Sequence, residues 1–116
     1  MLVAALLLGM VRAQSEAAYP VLTTGDGSAV AWLYRDDDLI LAVGEAEVFD
    51  ANSALARRAA VLDAQRHVIR ATALLRGPTG GRLVGVIRNG RVVLIETEAR
   101  RVRVYYVARL TDIEVR

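Results

Sequence analysis

His67 is the only histidine in the chain, and Asp63 precedes it by four residues. On a helix that spacing puts the two side chains one turn apart, close enough to hydrogen-bond. A carboxylate that orients an imidazole is part of a hydrolytic relay, but such a relay also needs a nucleophile and an oxyanion hole. The serines are Ser15, Ser28 and Ser53, and none lies in a G-x-S-x-G turn. The pair therefore reads as an ordinary one on the wet face of a helix. Asp36, Asp37 and Asp38 are adjacent rather than spaced as in a calcium loop, and they read as a polar hairpin tip. The glycines of "GPTGG" (77–81) close a helix and lead into a strand, with no lysine after them, so they do not form a phosphate loop. Nothing in the sequence calls for a catalytic residue, a cofactor or a metal.

The basic residues are the remaining candidates. All fifteen are arginine, the residue suited to bidentate binding of phosphate or carboxylate. Residues 1–50 carry two arginines against eight carboxylates, giving −6, and residues 51–116 carry thirteen against five, giving +8. Arg88 and Arg91 flank Asn89-Gly90, and Arg101 and Arg103 alternate along one strand face. With Tyr106 of the same strand, these four arginines are the candidate contacts to an anion or a protein partner. Trp32 and Tyr34 also share a strand face. Such a pair can stack on bases, but it more often packs a core or an edge.

These side chains must be positioned by a small set of elements. "AVAWLYR" (29–35) and "LILAVGEAEV" (39–48) read as a β-hairpin with an acidic loop. Gly44, inside the second run, marks a bend or the close approach of another backbone. A helix starts near Asp50 or Asn52, either of which can cap it, and ends at Arg76 before Gly77-Pro78. At 100° per residue its apolar face collects Leu55, Val61, Leu62, Val68, Ile69, Ala73 and Leu75. Asp63, Arg66, His67 and Arg70 fall on the opposite, wet face. Arg58 and Gln65 fall within the apolar sector and would snorkel to its edge. "RLVGVIRNGRVVLIET" (82–97) reads as a hairpin turning at Asn89-Gly90. "RVRVYYVARL" (101–110) reads as the last strand and as a candidate sheet edge, with arginines to discourage indiscriminate pairing. The order β-β-α-β-β-β implies an α+β fold, an antiparallel sheet with one long helix packed on one face.

Residues 1–13 read as a signal peptide. Leu2 to Val11 is apolar, too short to span a bilayer, and Val11 and Ala13 are the small residues before a cut ahead of Gln14. Residues 14–28 read as a tether or loop, and residues 29–116 as a single domain. With no cysteine, the chain has neither a disulfide nor a cysteine to carry a lipid.

Gly44 and Ala46 in "LILAVGEAEV", the rhythm of Ala56, Arg57, Ala60 and Ala64, and "YYVARL" (105–110) together resemble a known pattern. This pattern belongs to the family of the LPP-twenty-like lipoproteins and the N-terminal domain of flagellar assembly protein T. The resemblance covers roughly residues 38–111. It implies an α+β domain outside the cytoplasm, built into surface or flagellar assemblies, with no catalytic residue to transfer. The chain departs from the family by lacking the lipoprotein cysteine, which favours a soluble periplasmic form. The expectation is therefore an exported, non-enzymatic envelope domain, periplasmic or secreted, that contacts an envelope protein or itself. No specific nucleic acid is expected as a partner, and no transmembrane span in the mature chain. The alternative is an arginine-rich module binding an anionic polymer or ligand.

Overall fold

The computed structural model describes residues 18–35, 37–77 and 84–115. The expected signal peptide, Asp36 and most of "GPTGG" lie outside the described residues. Strands β1 (Ala18–Thr23), β2 (Ala29–Tyr34) and β3 (Leu39–Glu47) precede helix α1 (Ser53–Arg76). After it come β4 (Gly85–Ile87), β5 (Arg91–Thr97), β6 (Arg101–Arg109), a 3₁₀ turn (Leu110–Asp112) and β7 (Ile113–Val115). The main sheet has the spatial order β1-β2-β3-β6-β5, all neighbours antiparallel. The helix packs on one face of it, giving the α+β architecture expected.

Helix α1 begins where Asn52 caps it: the side-chain oxygen accepts from the Leu55 amide at 3.1 Å. It stops at Gly77, whose φ of 104° is open to glycine but strained for other residues. Its seat on the sheet is the alanine row Ala56, Ala60 and Ala64, continued by Val68 and Ala71, all buried. Opposite lie Ile40, Ala42 and Gly44 of β3 and Val102, Val104 and Tyr106 of β6. Gly44 is the closest point. A Cβ there would overlap the Ala60 carbonyl oxygen and the Ala64 amide nitrogen and lie 2.9 Å from Ala64 Cα. Of the two readings of Gly44, the structure selects close approach of the helix backbone.

Four expectations need correction. The tether expected over 14–28 is, from Ala18 to Thr23, strand β1, paired with β2. Tyr19 and Leu22 pack against the core, which holds this polar-looking stretch in the sheet. Residues 82–97 are not one hairpin. β4 pairs with β7 in a separate two-stranded sheet, while β5 pairs with β6. Asn89 does adopt positive φ (53°), but Gly90 is placed by the Tyr106 ring, whose Cζ would lie 2.6 Å from a Cβ there. The expected final strand, β6, is not an edge but lies between β3 and β5, so the edges are β1 and β5. Finally, Leu55 and Leu62 are not core residues, being 61% and 56% exposed. The large side chains of the helix dominated the expected face, but only its alanines let the backbone reach Gly44.

Candidate interaction surfaces

Asp63 and His67 do not sit on a wet face. The β2–β3 ladder ends at Ala31–Ala42, whereas β3 continues to Glu47. From Val43 onward β3 has β6 on one side and, among the described residues, no strand on the other. The helix supplies what the missing strand would. The His67 Nδ1 lies 2.7 Å from the Val43 carbonyl oxygen, and the Glu45 amide donates to Asp63 Oδ2 at 3.0 Å. A carbonyl only accepts, so Nδ1 carries the proton. Nε2 then faces Asp63 Oδ1 at 3.7 Å. The alanine face that docks on Gly44 is flanked by Asp63 and His67, which is why the pair reaches the strand edge. The two side chains thus terminate an open β-edge and hold the helix to it.

A cleft of about 460 Å³ opens beside this edge, between Ser28–Val30 and Val43–Glu45. Trp32, Tyr105, Arg101 and Arg103 also line it. Trp32 and Tyr34 do share a face, the one turned away from the helix, and both are half-buried. Burial of Tyr34 raises its phenol pKa. Across the rim, Asp26 closes a tight turn by accepting from the Thr24 hydroxyl and from the Ser28 amide at 2.9 Å. The Thr24 hydrogen bond, then those from Ser28, hold the Asp26 carboxyl below its ordinary pKa.

The candidate arginines are not one cluster. Arg88 pairs with Glu114 at 2.6 Å. Arg101 and Arg103 share Glu45, at 3.6 and 2.8 Å. Burial works against the charge on Arg103, but contact with Tyr105 and Glu45 raises its pKa on balance. The Tyr105 phenol pKa is raised too, by burial first and then by Glu96, with Arg103 opposing. Arg91 stands opposite Val107, and Arg103 is four residues back along β6, about 13 Å away. Among the described residues Arg91 has no ion pair. Tyr106, the fifth candidate, is only 5% exposed and faces the helix, where Gln65 Nε2 donates to its hydroxyl at 3.4 Å. It is a core residue rather than a surface contact.

Strand β5 has the features that the sequence reading missed. Val92, Val93 and Ile95 are each 37% exposed. Val61 and Gln65 lean from the helix toward Val102, Val104 and Tyr106 of β6, whereas Asp63 and His67 lean toward the far edge of β3. The helix flank carrying Val61 and Gln65 is therefore the one on the β5 side, while exposed Leu62 points away from the sheet. One helix covers the centre of a five-stranded sheet and leaves an apolar step along β5. The signal was present in "RVVLIE", where consecutive apolar residues cannot all face a core that covers one side of the sheet.

Among the described residues no group of His, Asp or Glu side chains could hold a metal ion, and no helix is long and apolar enough to cross a membrane. No family model matches the sequence, and neither a curated protein nor a solved structure is significantly similar to it.

Proposed function

We propose that the chain is an exported, non-enzymatic domain that works by protein–protein contact in a cell envelope. The observation that carries this reading is the apolar β5 side. An edge strand with Val92, Val93 and Ile95 exposed is a surface that soluble domains ordinarily cover. Three further features support it. The apolar run Leu2 to Val11, with the small residues before Gln14, has the form of an export signal. The resemblance to the LPP-twenty-like lipoproteins and flagellar assembly protein T implies an envelope setting and a periplasmic or secreted product. His67 and Asp63 are both engaged by the β3 backbone, a structural task. Fractionation of cells expressing the full chain, followed by crosslinking and pull-down from the envelope fraction, tests the reading. It predicts a processed protein outside the cytoplasm that captures a protein. A chain that stays cytoplasmic with residues 1–13 attached would contradict export.

A further inference from the structure

We infer that the β5 edge pairs with the β5 edge of a second copy, making one continuous sheet across a twofold axis. The inference rests on the protein-contact reading and names the partner. Three observations carry it: the direction of the free backbone groups, the agreement of faces, and the charges at the two ends of the strand.

Backbone direction follows from the ladders. Val43 and Glu45 turn their peptide groups away from β6, toward His67 and Asp63. Direction alternates along a strand, so Ala42 and Gly44 point at β6, and their partners Tyr106 and Val104 point back at β3. Arg103, Tyr105 and Val107 must then point at β5, where they meet Glu96, Leu94 and Arg91. The irregularity between Val92 and Leu94 places Val93 as an extra residue opposite Tyr105. Val92 and Ile95 are left with amide and carbonyl directed outward, where no strand lies among the described residues.

An antiparallel copy in which Val92 faces the partner's Ile95 satisfies all four of those groups in each chain. The same register places Arg91 opposite the partner's Glu96, and Val93 opposite the partner's Leu94. Faces agree throughout: Val92 and Ile95 lie on the helix side, as their partners Tyr106 and Val104 do, and Arg91 and Glu96 lie on the other. Each end of the pairing therefore joins an arginine to a carboxylate. Arg91 is exposed and has no ion pair of its own among the described residues, whereas Glu96 also contacts the Tyr105 phenol and its buried Oε1 has no hydrogen-bond partner among them. Shifting the register by one residue would put apolar side chains opposite charged ones and break the agreement of faces. Arg91–Thr97 contains neither a lysine nor a proline, two residues that commonly guard an exposed edge.

The test is sedimentation of the full chain over a range of concentrations, with variants chosen to leave the fold intact. The mass is expected to rise from one chain to two. Val92→Pro removes an amide that the β6 ladder does not use, and proline is tolerated at such edge positions. It should lower the association constant at least about tenfold, with the circular dichroism spectrum unchanged. Arg91→Glu should weaken association in the same way, and Arg91→Glu with Glu96→Arg should restore it. Because the chain has no cysteine, the doubly substituted Val92→Cys, Ile95→Cys protein should give a covalent dimer on mild oxidation. Val92→Cys with Thr97→Cys should not. A chain of unit mass at every concentration, without the covalent dimer, would overturn the inference. If that monomer still captured an envelope protein, the contact reading would survive and only the self-pairing would fall; if it captured nothing, both would fall.

Discussion

Replacing Gly44 with alanine should cost far more than one methyl group ordinarily does. The new Cβ would lie 2.9 Å from Ala64 Cα and nearer still to the Ala60 oxygen and the Ala64 nitrogen. All three are helix backbone, so no side chain can swing aside. Carbon contacts become favourable near 3.5 Å, so the helix has to rise by several tenths of an ångström or more. Overpacking of this kind costs about 1–3 kcal/mol. Rising also draws His67 and Asp63 away from Val43 and Glu45, and each hydrogen bond contributes about 1 kcal/mol. The sum is about 3–5 kcal/mol, a large part of the roughly 5–15 kcal/mol that stabilises a domain. Urea unfolding followed by circular dichroism and by the fluorescence of Trp32, the only tryptophan, reads it directly. The midpoint should fall by about 2 M or more. Gly25→Ala is the control: nothing lies within 4 Å of its Cβ, so its effect should stay within about 0.5 kcal/mol. A Gly44→Ala protein as stable as the control would refute the close seating of the helix.

Asp63→Ala should speed hydrogen exchange at the Glu45 amide, seen by NMR, and destabilise the domain by about 1–3 kcal/mol; Asp63→Asn, which keeps an acceptor, should do less. Tyr106→Asp should abolish the folded circular dichroism spectrum rather than merely weaken association, because the residue is buried against the helix. Asp26 titrates below its ordinary value because the Thr24 hydroxyl and the Ser28 amide bind its charged form. Its contribution to the Thr24–Ser28 turn is therefore complete above the unfolded pKa and lost as pH falls through the lower folded one. NMR shifts of the Ser28 amide should report that loss only in strong acid, and Asp26→Asn should flatten the titration.

Local rules made much of this fold legible in the sequence. The β2–β3 hairpin, the helix from Asn52 to Arg76 and the strand at 101–109 follow from hydrophobic runs, a cap and a Gly-Pro stop. So does the close approach of another backbone at Gly44. What was not legible depended on pairing across distance. The separation of β4 from β5 requires Ile113–Val115 as a competing partner, and no local feature of "RLVGVIRNGRVVLIET" announces it. Hydropathy misleads on the helix face because it weights Leu55 and Leu62 above Ala60 and Ala64, whereas the seat on Gly44 selects for small size. The roles of Asp63 and His67 were hidden for the same reason, since their target is the backbone of β3 where β2 has ended. Arg101 and Arg103 do share a face, but nothing local to "RVRV" points to Glu45 as the carboxylate that holds both.

Photocrosslinking in intact cells tests most directly whether the β5 side is the contact surface. A photoreactive residue in place of Val93 sits on the exposed edge, whereas one in place of Arg70 sits on an exposed part of the helix away from β5. Discrete covalent adducts in the envelope fraction are expected from position 93 and none from position 70. Adducts from position 70 alone, or none from either position in a chain shown to be folded, would contradict the β5 contact.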